Sequence, residues 1–549
     1  MSTAEDGPWW RGAVIYQVYP RSFADGDGDG IGDVAGIRSR LDHLAALGVD
    51  AIWFSPWYPS PMADAGYDVA DYRDIDPVFG TLAEVEALIA EAHAVGIRTI
   101  VDVVPNHCSD AHPWFQAALA SPDAPERELF WFRPGRGPDG ARKPTDWVSP
   151  FAGDTWTRTT NPDSTPGDWY LHLFAPEQPD FNWDHPRVRA EFEDILRFWL
   201  DRGVDGIRID SAAMLAKDPT LPEATPDGPS PFVDVDAVHD IYRGWRRITD
   251  SYPGDRALIG EVWLPDHERF ANYLRPDELH AAFNFDFLGC AWDAAALRAC
   301  IDTTLTAHAP VGAPATWVLS NHDVTRHVTR YGRADTTFSF AAKREGIPTD
   351  LELGTRRARA AALLSLSLPG AAYVYQGEEL GLWEVEDIPR ELRQDPMYHR
   401  SGGVDPGRDG CRVPIPWTGD EPPFGFSPDG AAAPWLPQPA DWKDRTVRAQ
   451  TGDPTSMLEL YRAAIRIRRA YPALGDGTMA WLPAPDGVLA FHRPPGFTCL
   501  VNLSAAAVPL PPHTNRLLAS GPLDDDLLPP DTAVWLRTAE PTPTGPATA

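Results

Sequence analysis

The chain has 549 residues, 43% of them hydrophobic, and a formal net charge of −31. That length is too great for one core and that apolar content too high for disorder, so two or three folded domains are expected. The excess of acids excludes a surface built to grip a phosphate backbone, and no apolar run approaches the roughly 18 residues of a membrane span.

The opening "MSTAEDGPWW" is acidic and lacks a basic segment followed by an apolar run, so no signal peptide is expected. Five cysteines (Cys108, Cys290, Cys300, Cys411, Cys499) are scattered, with no C-x-x-C among them. They read as free thiols of a reducing compartment, which places the protein in the cytoplasm.

The first strand-like run is "AVIYQVYP". After it comes "SFADGDGDGIGDVAG", residues 22–36. Asp25, Asp27, Asp29 and Asp33 occupy positions 1, 3, 5 and 9 of an EF-hand-like pattern, with Gly30 at the turn position 6. Ile31, at position 7, would offer its backbone carbonyl, but Gly36 stands at position 12 where an EF-hand has a bidentate Glu. The loop is therefore no true EF-hand. Four carboxylates this close repel one another without a cation, which favours a hard-metal site over a solvated turn.

Helix-like "IRSRLDHLAAL" then leads into strand-like "GVDAIWFSP", and "LAEVEALIAEAHAV" into "GIRTIVDVVPNH". Further strand-like runs are "GVDGIRID", "RALIGEVW", "LHAAFNFD", "ATWVLSNHD" and "GAAYVYQGEELG". Several are continuously apolar, as strands buried on both faces require. Eight such runs alternating with helices predict an α/β fold, a (β/α)8 barrel spanning 1–106 and 179–474.

Two stretches break the alternation. Residues 107–178, rich in Pro, Gly, Asp and Trp, are too long for a plain loop and predict an inserted domain after the third strand. Residues 382–453 predict a second, smaller insertion. "SMLELYRAAIRIRRAYPAL" then reads as the helix that closes the barrel. The short runs "VLAFHR" and "FTCLVNLS" predict an all-β domain over 475–549.

In such a barrel the strand C-termini carry the chemistry. Those ends hold Asp102, Asn106 and His107 (third strand), Arg208 and Asp210 (fourth), Glu261 (fifth), and Asn321, His322 and Asp323 (seventh). Any one of these could be a cap, an ion pair or a satisfied structural group. Jointly, several acids buried at one mouth are costly unless paired or used. Glycoside hydrolysis uses such a set: one carboxylate attacks and one carboxylic acid protonates the leaving oxygen. Arg208, on the same side of its strand as Asp210, would keep that acid ionised.

The segments "DVVPNH", "GIRID", "EVW" and "NHD" stand in order on four of these strands. In this the chain resembles the α-amylase superfamily of glycoside hydrolases. The resemblance implies Asp210 as nucleophile, Glu261 as general acid/base and Asp323 as transition-state stabiliser, with Arg208, His107 and His322 holding the sugar. "QPDFNW" (178–183) resembles a segment of the α-glucosidase and oligo-1,6-glucosidase branch, which more often has Leu at Phe181. "DAGYD" resembles its pocket end, with Tyr67 stacking on the sugar and Asp64 binding a terminal hydroxyl. "RDGCRVPIPW" resembles another loop of the branch, with Val413 in place of Thr. It implies that Arg412 shares that hydroxyl with Asp64, and Phe174 would complete the wall. The branch also carries an acidic loop after its first strand, which implies a structural Ca²⁺ or Mg²⁺ on Asp25, Asp27, Asp29, Ile31 and Asp33, and no organic cofactor. Ser211, directly after Asp210, goes with α-1,4 rather than α-1,6 cleavage.

The expected function is thus a retaining, exo-acting α-glucosidase on short α-glucosides, with no nucleic-acid or membrane partner. Alternatives are a transglucosylase or sugar isomerase of the trehalose or isomaltulose synthase type, and an oligo-1,6-glucosidase. A non-enzymatic transporter heavy chain fits least, because such chains carry a membrane anchor and lack the acids kept here.

Overall fold

The computed structural model describes residues 7–225 and 228–539. Residues 1–6, on which the signal-peptide reading bears, and 540–549, the end of the expected C-terminal domain, lie outside these. Among the described residues no helix is long and apolar enough to cross a membrane.

The eight apolar runs form eight parallel strands: β1 (Val14–Val18), β2 (Ala51–Phe54), β3 (Arg98–Val103), β4 (Gly206–Ile209), β5 (Ala257–Gly260), β6 (Ala281–Ala282), β7 (Thr316–Val318) and β8 (Ala371–Tyr375). They pair in the order β7-β8-β1-β2-β3-β4-β5-β6, so the expected barrel is what forms. Its strands are largely apolar because alternate side chains have separate cores to fill, with polar residues such as Asp102 and Arg208 near their C-terminal ends. Ile15, Trp53, Ile100, Ile259, Phe283 and Tyr373 pack inside the barrel. Their neighbours Tyr16, Ile52, Phe54, Val101 and Leu258 pack outward with helix residues such as Leu88, Leu196 and Leu363. At the β6–β7 seam, Thr316 Oγ1 donates to the Ala282 carbonyl at 2.5 Å.

The helices between strands start on local signals. Thr81 and Glu84 form a reciprocal capping box on Leu82–Ala94, and Pro at the first turn opens Pro186–Asp201. From 382 to 453 the chain makes only short helical turns. A five-stranded antiparallel sheet follows, built from Ala480–Trp481, Val488–Arg493, Phe497–Asn502, Thr532–Arg537 and Asn515–Ala519. It docks on the helix Leu351–Ser367, where Trp535 Nε1 donates to Leu363 O at 3.1 Å.

Between β3 and β4 the chain forms a three-stranded antiparallel sheet of Phe132–Arg133, Pro166–Leu171 and Trp156–Thr160. Trp131, Trp147 and Trp156 are its core, which accounts for the tryptophans of this stretch. The segment returns to the barrel through bridges pairing His107 with Asp180 and Phe130 with Phe181. The joint is locked by a fully buried ion pair, Lys217 Nζ to Asp180 Oδ2 at 2.7 Å. Lys217 also donates to Asn106 Oδ1 at 2.6 Å and to Met214 O at 2.8 Å. Asp180 Oδ1 accepts from Leu173 N at 2.8 Å.

Removing one partner of such a pair strands the other charge without water. Lys217→Met is therefore expected to destabilise the protein by about 3–5 kcal/mol, measured by denaturant unfolding. Lys217→Met with Asp180→Asn should recover much of the loss, because no carboxylate is then left unpaired. Equal stability of the two variants would show that the charge at Asp180 is not what the lysine offsets.

Candidate active site

The C-terminal ends of β3, β4 and β5 deliver three carboxylates to one guanidinium. Arg208 Nη1 donates to both Asp102 oxygens at 3.0 Å and to Asp210 Oδ1 at 2.9 Å. Its Nη2 donates to Glu261 Oε2 at 2.6 Å. The remaining oxygens are also held. Trp263 Nε1 donates to Glu261 Oε1 at 2.9 Å, Ser211 N to Glu261 Oε2 at 3.0 Å, and Ser211 Oγ to Asp210 Oδ2 at 3.0 Å. Ser211 reaches both acids because its backbone is left-handed, with φ of 46°. That is an uncommon conformation for a residue with a side chain and marks a constrained turn.

A second cluster gathers on Arg408. Its Nη2 donates to Asp64 Oδ1 at 2.6 Å, its Nη1 to Asp323 Oδ1 at 3.1 Å, and its Nε to Asp395 Oδ2 at 2.5 Å. The expected pairing of Asp64 with Arg412 is corrected here. Arg412 stands behind the site, its Nη2 on Asp323 Oδ1 at 3.1 Å and its Nε on the His322 carbonyl at 2.8 Å. The first arginine of "RDGCR", not the last, faces Asp64. The 3-10 turn Asp409–Cys411 between them sends the two side chains to different neighbours.

The remaining predicted residues close the ring. Tyr67 and His322 stack with centroids 5.2 Å apart and planes 8° from parallel, and Tyr67 donates its hydroxyl to Asp102 at 3.1 Å. Gln17 Nε2 donates to His322 Nδ1 at 2.7 Å, leaving His322 Nε2 to face Asp323 Oδ2 at 3.3 Å. His107 Nε2 lies 3.0 Å from Gln178 Nε2 and 3.0 Å from the Tyr67 carbonyl. Gln178 in turn reaches Asp64 Oδ2 at 3.1 Å, so the "QPDFNW" segment serves through its glutamine. Phe174 packs on His107 with centroids 5.1 Å apart.

A cavity of about 360 Å³ opens among these groups. Asp64, Tyr67, His107, Phe174, Asp210, Ser211, Glu261, His322, Asp323 and Arg408 all line it, whereas Arg208 and Arg412 brace it from behind. Sequence reasoning missed Arg408, Asp395, and the apolar side chains Met214, Val233, Trp263 and Phe340. Arg408 and Trp263 lay inside motifs already singled out, "RDGCRVPIPW" and "EVW".

Burial and the adjacent Glu261 push Asp210 up from the usual carboxylate range, and Arg208 opposes the rise without cancelling it. Burial likewise pushes Asp102 up to about 7 against the pull of Arg208. Arg208 thus pulls Asp210 toward its charged form, although its one positive charge is divided among three acids. At Asp323, burial works to raise the pKa, but His322, Arg408, Arg412 and Arg208 together hold it below its ordinary value. Asp323 is thus held toward its charged form while burial resists charge on Asp210, a contrast between neighbouring carboxyl groups that suits acid–base work on one bond.

The acidic loop lies apart from this cavity. Carboxylate oxygens of Asp25, Asp27 and Asp29 lie within 4.8 Å of one another. Asp33 does not join them. It caps the helix Val34–Ser39, accepting from Gly36 N at 2.6 Å, Gly26 N at 3.0 Å and Asp27 N at 3.1 Å. Ile31 N donates to Asp29 Oδ1 at 2.7 Å. Gly36 is glycine because a Cβ there would meet the Ala24 carbonyl oxygen at 1.9 Å, so no glutamate could occupy it. Three clustered carboxylates suit a hard cation that completes its shell with carbonyls and water.

The model of the α-amylase catalytic domain matches residues 17–477. A probable α-glucosidase of Rhizobium meliloti is 39% identical over 529 residues, covering 91% of this chain and 90% of that protein. An oligo-1,6-glucosidase of Parageobacillus thermoglucosidasius is 35% identical over 511 residues, covering 86% and 85%. Among solved structures, the α-glucosyl transfer enzyme XgtA superposes with a TM-score of 0.84 at 35% identity, covering 97% of this chain and all of the other. The trehalulose synthase MutB gives a TM-score of 0.82 at 30% identity, again over 97% of this chain. The eight-stranded barrel, its acid-bearing strand ends and these matches agree: the chain belongs to the α-amylase family of glycoside hydrolases, as an enzyme of the α-glucosidase kind.

Proposed function

We propose that the protein is a retaining, exo-acting α-glucosidase that removes terminal glucose from short α-glucosides, with α-1,4 links favoured. The observation that carries this reading is the shape of the charged ring. Asp210 and Glu261 face the cavity across Arg208, and the ion pair of Asp64 with Arg408 lines its other side. A pocket stopped by an ion pair admits a chain end and excludes a chain interior.

In this reading Asp210 attacks the anomeric carbon while Glu261 protonates the departing oxygen. Glu261 then takes a proton from water, which displaces Asp210 with net retention. Trp263 and Ser211, bonded to Glu261, fix the direction of that transfer. Asp323, held ionised by two guanidinium groups, supports positive charge on the ring as the bond breaks. The structural relatives named as transfer enzyme and trehalulose synthase support a second reading, in which a sugar hydroxyl takes the place of water on the same machinery.

Asp25, Asp27 and Asp29 would hold Ca²⁺ or Mg²⁺ as a brace for the loop after β1, with Asp33 shaping the loop as a cap rather than as a ligand. The five cysteines, all free, support a reducing, cytoplasmic setting.

Asp210→Asn is expected to lower kcat on maltose by about 10⁴-fold or more with an unchanged melting temperature. Glu261→Gln should lose about 10²–10⁴-fold on maltose and much less on an aryl α-glucoside whose leaving group needs no proton. Near-normal maltose turnover in the Asp210 variant would remove it from the nucleophile's role.

For the linkage, wild type should favour maltose over isomaltose in kcat/KM, and Ser211→Val should move the ratio toward isomaltose by about tenfold. Because residue 211 is left-handed, a β-branched side chain there is also expected to lower the melting temperature, so the ratio and not the absolute rate is the readout. A wild-type preference for isomaltose would overturn the assignment.

Chelation of a purified, metal-loaded sample should lower the melting temperature by a few degrees, and added Ca²⁺ or Mg²⁺ should restore it. Asp27→Asn should abolish that response. A melting temperature indifferent to both treatments would rule the brace out.

A further inference from the structure

A second cavity, of about 640 Å³, shares Trp263 and Phe340 with the first but none of its acids. The glucosidase chemistry gives it no task. Cys290 lines it. That residue follows the short helix Phe285–Gly289, and Cys300 stands in the middle of the helix Ala294–His308. Both are half-buried, whereas Cys108, Cys411 and Cys499 are fully buried.

The elements that carry the two cysteines are fixed to each other. Asn284 accepts from Phe287 N at 2.9 Å and donates through Nδ2 to Thr304 Oγ1 at 2.9 Å. Thr304 Oγ1 in turn donates to the Cys300 carbonyl at 2.9 Å. The chain is also pinned on both sides of Cys290. Phe338 N donates to the Gly289 carbonyl at 3.1 Å, and Trp292 N donates to Thr336 Oγ1 at 2.8 Å. Between these anchors the two side chains meet, with the Cys300 thiol donating toward the Cys290 sulfur.

A single half-buried cysteine would be no more than a small apolar side chain. Two in contact beside an open cavity are a dithiol, and their surroundings give them unequal parts. The hydrogen bond from Cys300 draws the Cys290 thiol below its ordinary value, against burial and the charges of Asp293 and Asp286. The same contact pushes the Cys300 thiol up. Burial pushes the interior thiols up as well, Cys411 and Cys499 to about 12. The thiolate is the reactive form, so attack begins at Cys290.

We propose that Cys290 and Cys300 form a site of reversible oxidation by hydroperoxides, with Cys290 attacking and Cys300 closing the bond. With hydrogen peroxide, the Cys290 sulfur bonds to one peroxide oxygen, the O–O bond breaks, and the other oxygen leaves as water. The Cys300 sulfur then bonds to the Cys290 sulfur and displaces the sulfenic oxygen as a second water. Two thiols are oxidised to one disulfide, the peroxide is reduced, and the thiol protons end in the two waters. A dithiol reductant restores the pair by exchange. The site does not depend on the glucosidase reading, and free thiols at rest suit a reducing compartment in which such bonds are transient.

The test exposes the reduced full chain to a small excess of hydrogen peroxide and counts free thiols. The count is expected to fall by two and to recover on treatment with dithiothreitol. Arg298 stands between the two cysteines, so trypsin separates them unless the bond holds. Their peptides should remain joined until reductant is added. Cys300→Ser should halt at a sulfenic acid on Cys290, captured by dimedone, and Cys290→Ser should leave Cys300 a free thiol over the same exposure. A wild-type chain that keeps all five thiols, pairs other cysteines or links to a second chain overturns the site. Oxidation of Cys300 in the Cys290→Ser variant at the wild-type rate overturns the order of attack.

Discussion

One buried guanidinium organises the site. Arg208 meets Asp102, Asp210 and Glu261 within hydrogen-bond distance, and each acid comes from a different strand. Three ionised carboxylates around a single positive charge would leave an uncompensated negative charge out of water, which folded proteins avoid by retaining protons. Burial accordingly pushes Asp210 and Asp102 up from the usual carboxylate range, and Arg208 opposes the rise at both. An arginine suits this position better than a lysine would, since its planar fork can serve several oxygens at once.

A second guanidinium repeats the arrangement with the opposite balance. Asp323 faces both Arg408 and Arg412, and Asp395 touches Arg408 from the rear at 2.5 Å. Here two guanidinium groups converge on Asp323, and with His322 they hold it below its ordinary carboxylate value. The two clusters shift Asp210 and Asp323 in opposite directions without any difference in residue type. Arg408, Arg412 and Asp395 all belong to the long segment of short turns between 382 and 453, so that segment, which adds no strand to the barrel, completes the chemistry of the mouth.

Much of this was legible in the sequence, for physical reasons. Strands buried on both faces are mostly apolar, so β1 to β5, β7 and β8 announce themselves. β6 is only two residues long, yet its flanking apolar residues gave it away. Residues at strand ends inherit their direction from the barrel, and that is why Asp210, Glu261 and Asp323 could be placed together. Loops carry no such rule. The spacing of "RDGCR" cannot say which arginine turns toward Asp64, and Asp33 counts as a ligand in a pattern but folds as a helix cap. Of the apolar wall only Trp263 stood in a motif, "EVW"; Met214, Val233 and Phe340 lie on separate segments and none is chemically unusual. The division of one positive charge among three acids is a property of distances, and sequence holds none.

The seam between β6 and β7 has a consequence for how the molecule moves. The paired strands run from β7 round to β6, with β6 contributing two residues at the end of that order. Local opening is least costly where a sheet's ladder is shortest. Phe283 and Phe285 follow β6, and Phe285 is the residue on which Trp263 lies. The rim that would receive the leaving group thus stands beside the shortest strand of the barrel. The groups around Arg208 rest on β3, β4 and β5, whose ladders are continuous. Breathing of the barrel at that seam would let departing groups of different bulk pass while the sugar's anchor stays still.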